Sequence, residues 1–199
     1  MTARLILASA SATRAALLSA AGLTFEARPA AIDEDEVKRG ARDEGISTDD
    51  TAVLLAEMKA ARIARSVPDA IVIGADQLLV CEDRWFDKPT TMADARAQLQ
   101  ALRGRAHTLV TAVLCQRGGQ RLWTHIARPK LTMRSFSDSF LDDYLAREGE
   151  AVLSSVGGYR LEGLGVQLFD AVVGDQSSVL GLPLLPLLGF LRQTGAVIS

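Results

Sequence analysis

Cysteine, histidine, basic excess and long apolar runs are all scarce in this chain, and each scarcity removes a class of function. Only two cysteines occur among 199 residues, Cys81 and Cys115. Each sits in an apolar, strand-like run, with no pair spacing typical of zinc and no disulfide framework. That usage predicts a reduced, cytoplasmic protein. The two histidines, His107 and His125, stand apart in sequence, so a histidine-rich metal centre or a Ser-His-Asp triad finds little support and both read as structural. The formal net charge of -2 and a pI near 5.7 supply no basic field that would gather DNA or RNA. Nucleic acid is therefore not expected as a partner. The most apolar tail segment, VLGLPLLPLLGFL (179–191), is broken by Pro183 and Pro186 and falls short of the roughly 20 residues that span a bilayer. It reads as a buried helix end, and no membrane partner is expected. The opening MTARLILASASATRAALLSAAG offers small residues for cleavage, but its apolar core LILA is far below the roughly 7 to 15 residues of a secretion signal. It reads as mature protein.

Repeats, low-complexity tracts and linkers are absent too, which assigns residues 1–199 to a single domain. A hydrophobic content of 48% is ample for a continuous core. RLILA (4–8) is a short apolar run that stops at Ser9, and a helix pattern follows with Leu17, Leu18 and Ala21 on one face. Ser47 and Thr48 with Asp49 and Asp50 mark the start of a second helix through about Arg65, which Pro68 closes. IVIGADQLLVCE and the following DRWF resemble two arms of a hairpin with acids at its turn. Thr91 and Asp94 form a capping box for the helix MADARAQLQALR, which stops at Gly104. AHTLVTAVLCQ and RLWTHIARPKLTMR read as one long hairpin turning at Gly118 and Gly119, with Trp85 and Trp123 as packing residues on hairpin surfaces. Ser137 and Asp138 start a further helix ending near Gly149. SSVGGYRLEGLG, a strand VQLFDAVV, a Gly174-Asp175 turn and one last helix complete the chain. Hairpins and helices alternate without a βαβ rhythm, which predicts an α/β protein with a mixed, twisted sheet.

The chemistry begins with a carboxylate in the wrong place. IVIGADQLLV reads as a strand built for burial until Asp76, and a carboxylate taken out of water needs a partner or a purpose. Gly74 and Ala75 thin the strand just before it and leave room for something to approach. In LASASATR a strand ends at Ser9 and Ser11 as a helix begins, placing hydroxyls and unpaired N–H groups where an anion is welcome. Arg14 lies in that first turn, where a cation opposes the helix dipole unless an anion is bound; a Ser cap with a solvent-facing Arg is the plain alternative. IDEDEVK (32–38) is a solvated turn or helix start that could lend Glu34 to a metal. Lys59 sits at the border of an apolar helix face, either snorkelling or reaching into a cleft. Lys88, beside Pro89, is a second cation on a stiffened loop. Ser9, Arg14, Lys59 and Lys88 as phosphate-binding groups, with Glu34 and Asp76 as metal ligands, suit a nucleoside triphosphate with Mg²⁺ or Mn²⁺. Water activated by Asp76 would then attack phosphorus. A dinucleotide-dependent oxidoreductase is discounted, because no G-x-G-x-x-G follows the first strand.

These segments resemble one family. LASASATRAALLSAAGLTFE, IDEDEVK, LAEMKA, VIGADQLLV, FDKP, GYRLEGLG and VVGDQSSVLGLPL match, in order and over nearly the whole chain, the motifs of the Maf-like nucleotide pyrophosphatases. The resemblance implies a cytoplasmic enzyme that cleaves nucleoside triphosphates between the α and β phosphates with a divalent cation. It implies a mixed sheet in two lobes around a central cleft, similar to the inosine triphosphatase fold, and a homodimer. Asp76 matches the proton acceptor, and Ser9, Arg14, Glu34, Lys59 and Lys88 match phosphate and metal-handling positions. Thr13, Gln77 and Glu162 match the three positions that separate a dTTP/UTP type (Arg, Thr, Gln) from a 7-methyl-GTP type (Trp, Gln, Glu). Gln77 and Glu162 side with the second, while Thr13 agrees with neither and removes a stacking surface for a methylated ring. A carboxylate facing the base suits guanine, whose edge has two neighbouring donors. Ala12 stands where the family usually has Pro. The family's association with septum formation offers an alternative, a nucleotide-binding regulator of cell division without essential turnover.

Overall fold

A computed structural model describes residues 3–197. In chain order the elements are β1 (Leu5–Leu7), α1 (Ala12–Ala20), β2 (Glu26–Ala27), α2 (Glu34–Asp43), α3 (Thr48–Ala64), β3 (Ile71–Cys81), β4 (Arg84–Phe86), α4 (Met92–Leu102), β5 (Ala106–Arg117), β6 (Gln120–Ala127), β7 (Lys130–Met133), α5 (Asp138–Glu148), β8 (Phe169–Val173), α6 (Gln176–Val179) and α7 (Leu184–Gln193). Short 3-10 turns at Gly149–Ser154, Val156–Gly158 and Leu164–Leu168 lie between α5 and β8. The sheet is mixed, as the sequence predicts: β1 pairs in parallel with β2 and β3, and the β4, β6, β7 and β8 pairings are antiparallel.

The chain divides into two compact units. The first comprises the chain up to Gln77, Val110–Ala127, and the chain from Asp175 onward. In it Leu5 and Leu7 of β1 stand in register with Ile71 and Ile73 of β3, and their side chains join Leu18, Val113, Leu182, Leu187 and Leu191 in one buried cluster. Helix α3 begins at Ser47, whose hydroxyl accepts the Asp50 N–H, as the hydroxyl-and-acid signal predicts. One of its faces is an alanine stripe, Ala52, Ala56, Ala60 and Ala64, all buried. Four-residue spacing puts these methyl groups in a row, so the helix approaches its neighbours closely.

The second unit comprises Leu78–Leu109 and Arg128–Gly174. Its α4 opens with the predicted capping box: Thr91 and Asp94 each bond the other's backbone N–H. Two expectations change here. RLWTHIARPKLTMR is not one hairpin arm but two strands, β6 on β5 and then β7, parted at Arg128-Pro129 because proline has no N–H for the ladder. The strand expected over VQLFDAVV begins only at Phe169, and Leu164–Leu168 coils as a 3-10 turn instead. In the first unit the single final helix is likewise two, α6 and α7, interrupted by Gly181 at φ 94 and by Pro183. The two-residue strand β2 has no sequence signal long enough to show.

His107 is buried in the second unit, its Nε2 2.8 Å from the Tyr159 hydroxyl and its Nδ1 unpartnered among the described residues. Burial lowers its pKa from the ordinary 6.5 to about 4. Between those values the unfolded chain takes up a proton that the folded chain refuses, so the stability that His107 contributes is full above pH 6.5, falls as pH drops towards 4, and changes no further below. At about 1.4 kcal/mol per pKa unit the loss is about 3 kcal/mol. Urea midpoints measured across this window are expected to fall in the native protein and to flatten in His107→Gln, which keeps a partner for Tyr159. His125, also read as structural, stacks parallel on Trp123, which in turn stacks on Phe190.

Candidate active site

A close approach between a helix and a strand builds the site. A Cβ placed on Gly74 would lie 2.2 Å from the Ala56 carbonyl oxygen and 2.9 Å from the Ala60 methyl. The room left by Gly74 is therefore filled by α3 itself. Lys59, in the turn between Ala56 and Ala60, is delivered to Asp76 two residues along the strand. Its Nζ stands 2.5 Å from Asp76 Oδ1 and 2.7 Å from Glu34 Oε1. Lys59 is 7% exposed and Asp76 3% exposed. An ammonium between two carboxylates answers why an acid interrupts an apolar strand, since the buried Asp76 has the buried Lys59 as counter-charge and the partly exposed Glu34 balances the ammonium further. Snorkelling is excluded for Lys59.

The pairing is incomplete in one respect. Asp76 Oδ2 is buried and accepts no hydrogen bond from the described residues. A carboxylate oxygen without a donor in the interior costs on the order of 1–3 kcal/mol, more when charged. Such an orphan marks a place where a ligand, water or ion completes the bonding. Glu34 lies in the first turn of α2, capped by the Asp33 side chain, so IDEDEVK is a helix start. Lys38, one turn further and buried, lies 4.0 Å from the second Glu34 oxygen. The order along these side chains is thus Lys38, Glu34, Lys59, Asp76, with charge alternating at every step.

Ser9 and Arg14 form a second part of the same unit. The Ser9 Oγ accepts from the Ser11 N–H at 3.2 Å and from Arg14 Nη1 at 3.3 Å. With both lone pairs taken, its own hydrogen is left to donate. Arg14 also donates through Nη1 to the Ala75 carbonyl at 3.0 Å and through Nε to the Gly181 carbonyl at 2.8 Å. It is held at Ala75, beside Asp76, rather than facing solvent. Burial pulls the guanidinium pKa below its ordinary value, opposed by the negative charges of Asp76 and Glu34.

Gln77, next along β3, donates from Nε2 towards Thr111 Oγ1 at 2.8 Å and the Ser178 and Val179 carbonyls at 3.1 Å each. Thr111 gives its hydroxyl hydrogen to the Ser178 carbonyl at 3.1 Å, so towards Gln77 it can only accept. The amide is thereby fixed with nitrogen inward, and the group it can offer a ligand is the acceptor Oε1. Asp175 builds this corner by capping α6, accepting from the Ser178 N–H at 2.8 Å. Thr111, Ser178 and Gly181 are not foreshadowed as site residues, because what they contribute is mainly backbone carbonyls and a hydroxyl inside apolar runs.

Thr13 is half-buried in the first turn of α1. Lys88 and Glu162 belong to the second unit: Lys88 is exposed between β4 and α4, and Glu162 Oε1 lies 3.6 Å from Arg160 Nε. Among the described residues no three His, Cys, Asp or Glu side chains gather as a metal cluster, and no helix is long and apolar enough to cross a membrane.

Comparison with known proteins decides the family. The model described as Maf-like protein matches residues 4–194. The chain belongs to the Maf-like family. A Maf-like relative from Granulibacter bethesdensis, a nucleoside triphosphate pyrophosphatase, is 59% identical over 98% of each chain. One from Rhodospirillum rubrum with the same name is 52% identical over 98% of this chain and 96% of its own. A third, from Rhizobium meliloti, is a 7-methyl-GTP pyrophosphatase, 48% identical over 97% of each chain. Among solved structures, a nucleoside-triphosphatase / dITP/XTP pyrophosphatase from Mycobacterium abscessus aligns over 75% of this chain and 95% of its own, at 15% identity and a TM-score of 0.39. The Maf-like assignment rests on the family match and the close relatives.

Proposed function

We propose that this Maf-like protein is a metal-dependent nucleoside triphosphate pyrophosphatase that hydrolyses the α–β phosphoanhydride bond to nucleoside monophosphate and pyrophosphate. The observation that carries the reading is the divided carboxylate of Asp76, with Oδ1 held by Lys59 and Oδ2 buried without a donor. An oxygen held in that way can take the proton of an attacking water. Water oxygen forms the new bond to phosphorus, the bridging α–β bond breaks, and pyrophosphate leaves with the bond electrons. Lys59, Arg14 and the Ser9 hydroxyl supply charge and hydrogen bonds to phosphate oxygens. Lys88 is assigned to the same task from its place in FDKP. The names carried by relatives at 59% and 52% identity support the reaction class.

The oxygen-only donors of Asp76 and Glu34 fit Mg²⁺ or Mn²⁺, which take one or two carboxylates and fill their remaining positions with water and phosphate. The metal would neutralise charge on the phosphates as the leaving group departs. Substrate choice is proposed as a guanine-like base such as that of 7-methyl-GTP. The acceptor Oε1 of Gln77 suits a donor of guanine, Glu162 is the residue that the 7-methyl-GTP type carries at its selecting position, and the Rhizobium meliloti relative carries that substrate in its name. Thr13 stands at the third selecting position. A cytoplasmic homodimer is proposed from the same resemblance, with light scattering of the purified protein to read the assembly.

Product analysis tests the whole reading. Purified protein is incubated with Mg²⁺ or Mn²⁺ and 7-methyl-GTP, GTP, dTTP, UTP or CTP, and monophosphate and pyrophosphate are scored, with a chelator control. Both products from at least one nucleotide, lost on chelation, are expected. Nucleotide bound without turnover would transfer the reading to a nucleotide-binding regulator of cell division.

A further inference from the structure

We infer that Glu148 is a positioning residue for base recognition: it holds the Arg160–Leu164 loop so that Glu162 is presented in one orientation. The inference rests on the proposed assignment of Glu162 to the base. Glu148 ends α5, the helix end where a negative charge is least welcome, yet its side chain is only 6% exposed. A carboxylate so placed requires strong compensation. It receives it from the loop. Oε1 accepts the Leu164 N–H at 2.8 Å, and Oε2 accepts from Arg160 Nη1 at 3.3 Å. Those two residues flank Glu162, two before and two after.

The glycines show how closely the loop is pressed to this anchor. A Cβ on Gly163 would lie 2.7 Å from Glu148 Oε1, and one on Gly165 would lie 2.4 Å from the Arg160 carbonyl oxygen. One turn earlier on α5, the Tyr144 hydroxyl donates to the Gly158 carbonyl at 3.4 Å, so the same helix face fastens the approach to the loop as well. Arg160 is shared. Its Nη1 meets Glu148 while its Nε stands 3.6 Å from Glu162 Oε1. Glu148 therefore restrains the guanidinium from closing fully on Glu162, which keeps the Glu162 carboxylate able to accept from a ligand.

The test compares Glu148→Gln, Glu148→Ala, Glu162→Ala and the Glu148→Ala/Glu162→Ala double variant in the full chain. The readout is the preference for GTP over UTP, taken from kcat/KM and, without reliance on turnover, from equilibrium titration. Glu162→Ala is expected to lower the preference about tenfold, as loss of a hydrogen-bonding partner for the base does. Glu148→Ala is expected to lower it by a similar factor. Glu148→Gln, which keeps an oxygen for the Leu164 N–H and so keeps the fold, is expected to fall between. In the double variant Glu148→Ala should add less than about twofold, because residues acting through one group are not additive. Glu148 variants that keep the preference while Glu162→Ala loses it would overturn the inference. So would an equal effect of Glu148→Ala with and without Glu162, which marks general loosening. An unchanged preference in Glu162→Ala would instead remove the base-reading assignment, and this inference with it.

Discussion

Asp76→Asn is expected to lower turnover about 1000-fold while nucleotide affinity stays within a few-fold of the native protein. Loss of a general base typically costs 10²–10⁴ in rate, and the substitution removes the capacity to take a proton while leaving an amide oxygen in place and the Glu34 carboxylate for the metal. The asparagine oxygen can still meet Lys59, whose second partner, Glu34 Oε1 at 2.7 Å, remains in place. The buried ammonium is therefore not abandoned and the fold should hold. Steady-state rates, calorimetric titration of nucleotide and a thermal melt separate the outcomes. Native-like turnover in the variant would sink Asp76 as proton acceptor. Joint loss of turnover and affinity in a folded variant would instead give Asp76 a binding role and leave the base to be found elsewhere.

Gly74→Ala is expected to destabilise the protein by about 4 kcal/mol, at the upper end of what overpacking costs. The methyl group would meet a backbone carbonyl oxygen at 2.2 Å, and a carbonyl in mid-helix cannot rotate aside. Either α3 or β3 must shift, and both carry site residues. The folded fraction should accordingly also lose activity beyond its loss of population, because Lys59 and Asp76 are separated. A urea titration and rates corrected for folded protein measure the two effects. A variant as stable as the native protein would mean that the seam between α3 and β3 is looser than the structure indicates.

Much of the fold is legible from local chemistry. The Ser47 and Thr91 caps, the β5–β6 turn at Gly118 and Gly119 and the start of α5 at Ser137 are all signals carried within a few residues. The departures have tertiary causes. Val166–Leu168, expected as the start of a strand, coils instead within the Leu164–Leu168 turn, where Glu148 takes the Leu164 N–H. The break between α6 and α7 sits where Gly181 adopts a left-handed φ and offers its carbonyl to Arg14, 167 residues away in sequence. The site divides in the same way. Asp76 is conspicuous because a charge interrupts an apolar run, whereas Thr111, Ser178 and Glu148 look ordinary until their partners are known. Gly74 is noticed in the sequence, but only the structure names α3 as its occupant.

That occupant has a consequence for how the molecule can vary. The gap between β3 and α3 is set by a hydrogen atom on one side and a peptide oxygen on the other, with no flexible side chain in between. Spacers of that kind do not relax, whereas the leucines and valines of the surrounding cluster can exchange volume with one another. Drift in the core should therefore change how firmly the protein folds while leaving the reach from Lys59 to Asp76 untouched. The chain separates the part of its sequence free to wander from the part that sets a length.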